Sequence, residues 1–220
     1  MGATSTRPRV VSTSAEASVK TQIVLYDGFD ELDAVAPYEV LTAAGRRGAP
    51  FQVELAHLDG AREVKGSQGL AVRATAVLAD RLDLLVVPGG RWADRGSLIG
   101  ARVEAERGAL PRAIAGLHAA GATVASVCTG AMLLAAAGLT RGRPATTHHL
   151  ARDELRASGA ELIDARVVDD GELITAGGVT SGLDLGLWLV ERHAGPALAL
   201  ELERHLEYER RGTVWRRPRA

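Results

Sequence analysis

The sequence holds a single cysteine, Cys128, among its 220 residues. An intrachain disulfide is impossible, which excludes the cross-linked class of small secreted domain and suits a reducing compartment. Aromatic residues are scarce as well, at 4% against 46% apolar residues in all, so Ala, Val and Leu have to fill the core. Charge of one sign is also missing: 26 Lys and Arg meet 27 Asp and Glu, a formal net charge of −1. That balance offers no electrostatic footprint for nucleic acid or for an anionic membrane surface. No apolar run reaches the roughly 20 residues of a membrane helix, and LLAAAGL at 133–139 falls far short. The first twenty residues lack the apolar stretch of a secretory signal. These absences lead us to expect a cytoplasmic protein with no nucleic-acid or membrane partner.

What is present is patterning. Residues 1–19, rich in Ser, Thr, Ala and Arg and without periodicity, read as a disordered leader. Residues 20–211 read as one domain without repeat or linker. Residues 212–220 read as a basic tail that is solvated rather than bound to nucleic acid. The apolar runs 21–26, 82–90 and 122–128 suit strands buried on both faces, and 51–58 alternates as a strand does. Residues 64–74 and 165–178 read as hairpins, the second turning at Asp-Asp-Gly. Helical patterns cover 33–44, 102–119, 129–138, 151–159, 180–195 and 196–211, with Pro111 expected to kink the second or to mark a late start. Residues 144–149 read as a short strand or loop. Strands alternating with helices predict βαβ units, a doubly wound, flavodoxin-like, mostly parallel sheet with helices on both faces. Ligands of such sheets lie beyond the carboxyl ends of the strands. The loops after Tyr26, Val87 and Val127 therefore matter most.

Cys128 stands where a buried strand turns into a helix, with no loop residue expected between them. A helix N-terminus and a strand end together would lower a thiol's pKa, following the logic of a nucleophile elbow. A lone cysteine is otherwise a small buried hydrophobe; its place at the turn favours the nucleophile. Asp33 reads locally as either a first-turn acid of its helix or a catalytic group. Pro-Gly-Gly at 88–90 reads as a turn whose Gly89 and Gly90 N–H groups, with that of Thr129, are candidates for stabilising developing negative charge. Trp92 is a candidate wall for an apolar pocket. No cofactor is indicated, since Gly89-Gly90 lacks the dinucleotide-binding context. His148–His149 lacks supporting ligand spacing, so no metal is expected.

The run SVCTGAMLLAAAGLTRGRPATTHH resembles the signature of the ThiJ/PfpI superfamily: a strand ending in cysteine, a Gly-containing helix, and a Thr-Thr-His segment about twenty residues on. The resemblance extends over roughly residues 21–209 and takes in LDLLVVPGG, GELITAGGVTSGLDLGLWLVE and LEYER. The protease-like branch has Cys-His, whereas Thr129 follows Cys128 here. The glyoxalase-like and redox-protective members carry Glu four residues before a proline; this chain has Asp33 before Pro37, in LD-x-x-x-P-x-x-V-L, which resembles the isonitrile hydratases, as does Cys-Thr-Gly. Glu31 competes for the acid's role, but its spacing to the proline is wrong. The resemblance implies hydration of an isonitrile to an N-substituted formamide, with Cys128 as nucleophile and Asp33 as general acid and base. It also implies that Thr129 orients the carboxyl or water, that His148 lines the pocket without being the base, and that the protein forms a homodimer. His149 stands where the hydratases tend to have Trp. Two other readings stay open: a glyoxalase-like or redox-sensing protein using the same cysteine, and the ligand-binding domain of a transcription regulator. The second is disfavoured because about ten residues follow the last helix, too few for a helix-turn-helix unit.

Overall fold

A computed structural model of the chain describes residues 18–217. The expected leader lies outside the described residues except for its last two positions, and so do residues 218–220 of the tail. Eight strands form the central sheet: β1 (Val19–Leu25), β2 (Phe51–His57), β5 (Ala76–Val77), β6 (Leu84–Val87), β7 (Thr123–Ser126), β10 (Val167–Asp169), β11 (Leu173–Ala176) and β12 (Trp215–Arg216). Their order is β12-β10-β11-β7-β6-β1-β2-β5. Every neighbouring pair is parallel except the β10–β11 hairpin. The hairpin β3 (Arg62–Lys65) and β4 (Ala71–Ala74) stands apart, as does the pair β8 (Pro144–Ala145) and β9 (Glu161–Leu162).

The expected doubly wound architecture is present. Helices α1 (Glu31–Arg46), α6 (Ser181–Ala194) and α7 (Pro196–His205) pack together on one face, and α2 (Ala101–Arg107), α3 (Ala109–Ala119), α4 (Gly130–Ala136) and α5 (Arg152–Ala157) on the other. The central strands are covered on both sides, which is why their sequences run apolar instead of alternating: all four residues of β6 and of β11 are buried. Each fully buried Val, Leu or Ile contributes about 1.5–3 kcal/mol over an exposed one. Glycines bring α6 against α1, since a side chain at Gly186 would press on Val40, and one at Gly182 on Ala36 and Pro37.

Three details depart from the sequence reading. The helix expected over 102–119 is two helices, divided at Gly108, which takes φ 73°. Pro111 marks the late start that was one of its two expected roles: it sits in the first turn of α3, where its missing N–H leaves no acceptor unsatisfied. The tail is not solvated throughout, because Trp215–Arg216 adds a strand to β10. Three residues, 127–129, separate β7 from α4 where no loop was expected.

The strand order reverses between β1 and β6. From β1 the chain winds outward to β2 and β5, and from β6 it winds the other way through β7 to β11. The crevice at such a reversal is where open α/β sheets bind ligands. The loops leaving β1, β6 and β7 meet there.

Candidate active site

Cys128 occupies the bend between β7 and α4 with φ 57°, a left-handed conformation that L side chains avoid. The surroundings hold it there. Its N–H donates to the carbonyls of Ala176 (3.1 Å) and Gly177 (2.8 Å). Its carbonyl accepts from Thr147 Oγ1 at 2.8 Å. The bend fits because Gly130 has no side chain; a Cβ there would collide with the Val87 carbonyl oxygen. Arg91 (φ 51°) and Val179 (φ 40°) share this rare conformation, and both line the same cavity as Cys128. Such strain, of order 1–3 kcal/mol per residue, persists only where the fold over-determines it, and it gathers at functional sites.

Asp33 comes from the first turn of α1. The helix starts at Asp30, whose side chain accepts from Leu32 N–H at 3.2 Å. Pro37, four residues after Asp33, has no N–H to give the Asp33 carbonyl. The side chain of Asp33 is 0% exposed. Its Oδ2 accepts from Gly89 N–H at 2.9 Å, while Oδ1 is buried without a well-formed hydrogen bond. Burial first, and the Asp30 charge second, hold this carboxyl well above the usual carboxylate range; Gly89 and the adjacent Cys128 thiol act in the opposite direction.

The thiol is also pushed up, which corrects the expectation of a thiol activated by a helix end. Cys128 is 6% exposed. Burial and the neighbouring Asp33 carboxyl raise its pKa, outweighing backbone hydrogen bonds from Val179 and Thr129 that favour the thiolate. A seven-residue helix cannot offset that desolvation. Burial thus shifts both groups of the pair toward their protonated forms.

A second correction concerns the candidate anion-stabilising donors. Gly89 N–H is committed to Asp33, and Gly90 N–H donates to Thr129 Oγ1 at 3.0 Å. Neither is free. The backbone N–H groups that favour the thiolate are those of Thr129 and Val179. Val179 was missed because the sequence around it reads as a glycine-rich packing segment and carries no sign of its backbone conformation. The two glycines still have a purpose: a side chain at Gly89 would strike Thr129, and one at Gly90 would strike the Gly28 carbonyl.

The cavity beside Cys128 holds about 270 Å³. Thr129, Gly90, Trp92 and His148 line it, joined by Asp30, Leu150 and Val179. His148 is neutral in character: burial lowers its pKa, its Nδ1 accepts from Leu150 N–H at 3.3 Å, and its ring lies 4.2 Å from that of His149. Trp92 is clamped. Its Nε1 donates to Glu154 at 3.2 Å, the Arg102 guanidinium lies 4.2 Å over its ring, and Arg102 also bonds both Glu154 oxygens at 3.0 Å. Glu31 is removed from contention, because its carboxylate accepts from Ser67 Oγ and from the N–H groups of Gln68 and Leu70, holding the β3–β4 hairpin to the start of α1. Among the described residues no group of three or more His, Cys, Asp or Glu is placed to hold a metal ion, and no helix is long and apolar enough to cross a membrane.

Comparison with known proteins gives a consistent picture. The sequence profile of the DJ-1/PfpI family matches residues 19–192. An isonitrile hydratase of Pseudomonas putida is 36% identical over 187 residues, covering 84% of this chain and 76% of that protein. A deglycase of Thermococcus kodakarensis is 29% identical, covering 72% of this chain and 89% of its own. The crystal structure of a ThiJ/PfpI family protein from Pseudomonas syringae superposes with a TM-score of 0.77 at 27% identity, covering 94% of this chain and 84% of that one.

Proposed function

The chain belongs to the DJ-1/PfpI family, and from that premise we propose that it hydrates an isonitrile, R–N≡C, to an N-substituted formamide. Cys128 is the nucleophile and Asp33 the general acid and base. The observation that carries this reading is the buried Asp33 carboxyl, its pKa raised by burial, with an Oδ1 that lacks a well-formed hydrogen bond next to the Cys128 thiol. An isonitrile presents one carbon that must receive both the sulfur and a proton. A neutral acid beside a neutral thiol supplies both without first creating a buried ion pair.

In the first half-reaction, the Asp33 proton moves to the isonitrile carbon as the Cys128 sulfur bonds to it, and the thiol proton returns to Asp33. The product is a thioimidate, Cys–S–CH=N–R. The N–H groups of Thr129 and Val179 steady the sulfur while it carries charge. In the second half-reaction, water adds to the thioimidate carbon, a proton moves to nitrogen, and the C–S bond breaks to release the formamide. Trp92 and Leu150 supply apolar wall for the R group. The reading includes a homodimer in the cytoplasm; Leu32 and Val35, one turn apart on α1, are exposed apolar residues available to such an interface.

The test is formamide production from a panel of small alkyl and aryl isonitriles, with methylglyoxal assayed alongside. Wild type is expected to form formamide and Cys128→Ala to form none. Turnover of methylglyoxal with no action on any isonitrile, or formamide formation that survives Cys128→Ala, would overturn the reading.

A further inference from the structure

Asp33 is suited to the first half-reaction and poorly suited to all of the second. Its carboxyl is 0% exposed and lies beside the Cys128 thiol, where it serves atoms bonded to the sulfur, whereas the attacking water has to enter from the cavity side. A second carboxyl stands there. Asp30 lines the cavity together with Cys128, Thr129 and His148 and is only half-buried. Its position is fixed by two tethers: its N–H donates to the Gly89 carbonyl at 2.8 Å, and its Oδ1 caps α1 through Leu32 N–H. The N–H groups of Leu32 and Asp33 both favour its charged form, and of the two only the Leu32 bond is well formed. Gly89 thus links the two acids, bonding the backbone of one and the side chain of the other. The sequence reading passed over Asp30 because it started the helix near Asp33, whereas α1 begins at Glu31 with Asp30 as its cap.

We infer that Asp30 is a further catalytic residue, the base that takes the proton of the attacking water when the thioimidate is hydrolysed; this rests on the hydratase reading above. The step balances as follows. The water oxygen bonds to the thioimidate carbon, its proton goes to Asp30 Oδ2, and the Asp33 proton goes to the imine nitrogen. The C–S bond then breaks as C=O forms. The hydroxyl proton and the proton held by Asp30 restore Asp33 and the thiol. Burial raises Asp30 above an ordinary carboxylate, which moves it toward the range of a working base. The groups around it agree: burial lowers the pKa of His148 and raises that of Asp33, which favours the neutral form of each, and Glu31 is turned to the hairpin.

The experiment is Asp30→Asn, mixed with an isonitrile that wild type turns over and followed by intact-protein mass spectrometry and formamide assay. Asparagine retains the cap, and Asp30→Ser, with a capping hydroxyl in place of the amide, serves as a second variant should Asn unfold the chain. Both are expected to lose at least about 100-fold in turnover while accumulating protein heavier by the mass of one isonitrile, the thioimidate, on Cys128. A variant within a few-fold of wild type, or one that loses turnover without accumulating the adduct, overturns the assignment of Asp30 and leaves the hydratase reading standing. Wild type that forms neither adduct nor formamide overturns the hydratase reading, and the assignment falls with it.

Discussion

Asp33→Asn isolates the buried carboxyl on which the site turns. Asparagine preserves the shape, and its Oδ1 can accept the 2.9 Å hydrogen bond from Gly89 N–H, so the fold should persist. What disappears is a titration. A carboxyl with a raised pKa binds more protons in the folded chain than in the unfolded one, between the two pKa values. Folded stability therefore falls as pH climbs through that window. The window opens at the ordinary carboxylate value, 3.8, and closes at the folded value, which burial and then Asp30 hold well above it. Within it the loss is about 1.4 kcal/mol per pH unit, and asparagine has no such dependence. The stability of wild type relative to Asp33→Asn should thus decline by about that amount for each unit above roughly pH 4.5 until the folded value is reached, other titrations cancelling between the two proteins. Urea unfolding followed by circular dichroism at half-unit steps from about pH 4.5 to 7.5 reads it directly. Turnover of Asp33→Asn should fall about 10²–10⁴-fold, the usual contribution of a positioned acid. A stability difference that stays flat with pH would mean an ordinary, ionised carboxylate inside the fold, and the neutral acid–thiol pair would be refuted.

Two further outcomes follow from the same geometry. Because burial and Asp33 raise the Cys128 thiol, labelling by iodoacetamide at about pH 7.5 should run at least roughly tenfold slower than that of a small free thiol and climb only at strongly alkaline pH; labelling faster than the free thiol would show an ionised sulfur instead. Glu154→Ala frees Trp92 and leaves Arg102 without its partner. We expect a stability loss of about 1–2 kcal/mol and a rise in KM for bulky isonitriles with kcat for the smallest one preserved; equal effects on all substrates would reduce Glu154 to a structural residue.

Much of the site was legible before any coordinates. Cys128 announces itself through a local feature, an apolar strand running into small residues, and Trp92 through its place just after Pro-Gly-Gly. Asp33 and His148 entered through the resemblance to the family, and the structure brings these residues and Thr129 around one crevice. The electrostatics were not legible. A lowered thiol pKa is the natural reading of a strand-to-helix turn, yet desolvation outweighs it, and desolvation depends on how completely distant segments, those of Asp33 and Val179 among them, close around the sulfur. The fate of the glycine N–H groups was equally hidden, since Gly89 and Gly90 find their acceptors 56 and 39 residues away.

The sequence by itself determined the layering of the molecule. Runs such as Leu84–Val87 have to be strands covered on both faces, and the helical stripes have to cover them, because period and polarity are local properties of the chain. Tertiary structure alone decided which acid meets water. Asp30 and Asp33 are three residues apart and chemically alike, and α1 turns one toward the cavity and seals the other beneath Gly89. Only the packing of distant segments sets the dielectric each carboxyl experiences, and that dielectric separates a proton donor from a proton acceptor.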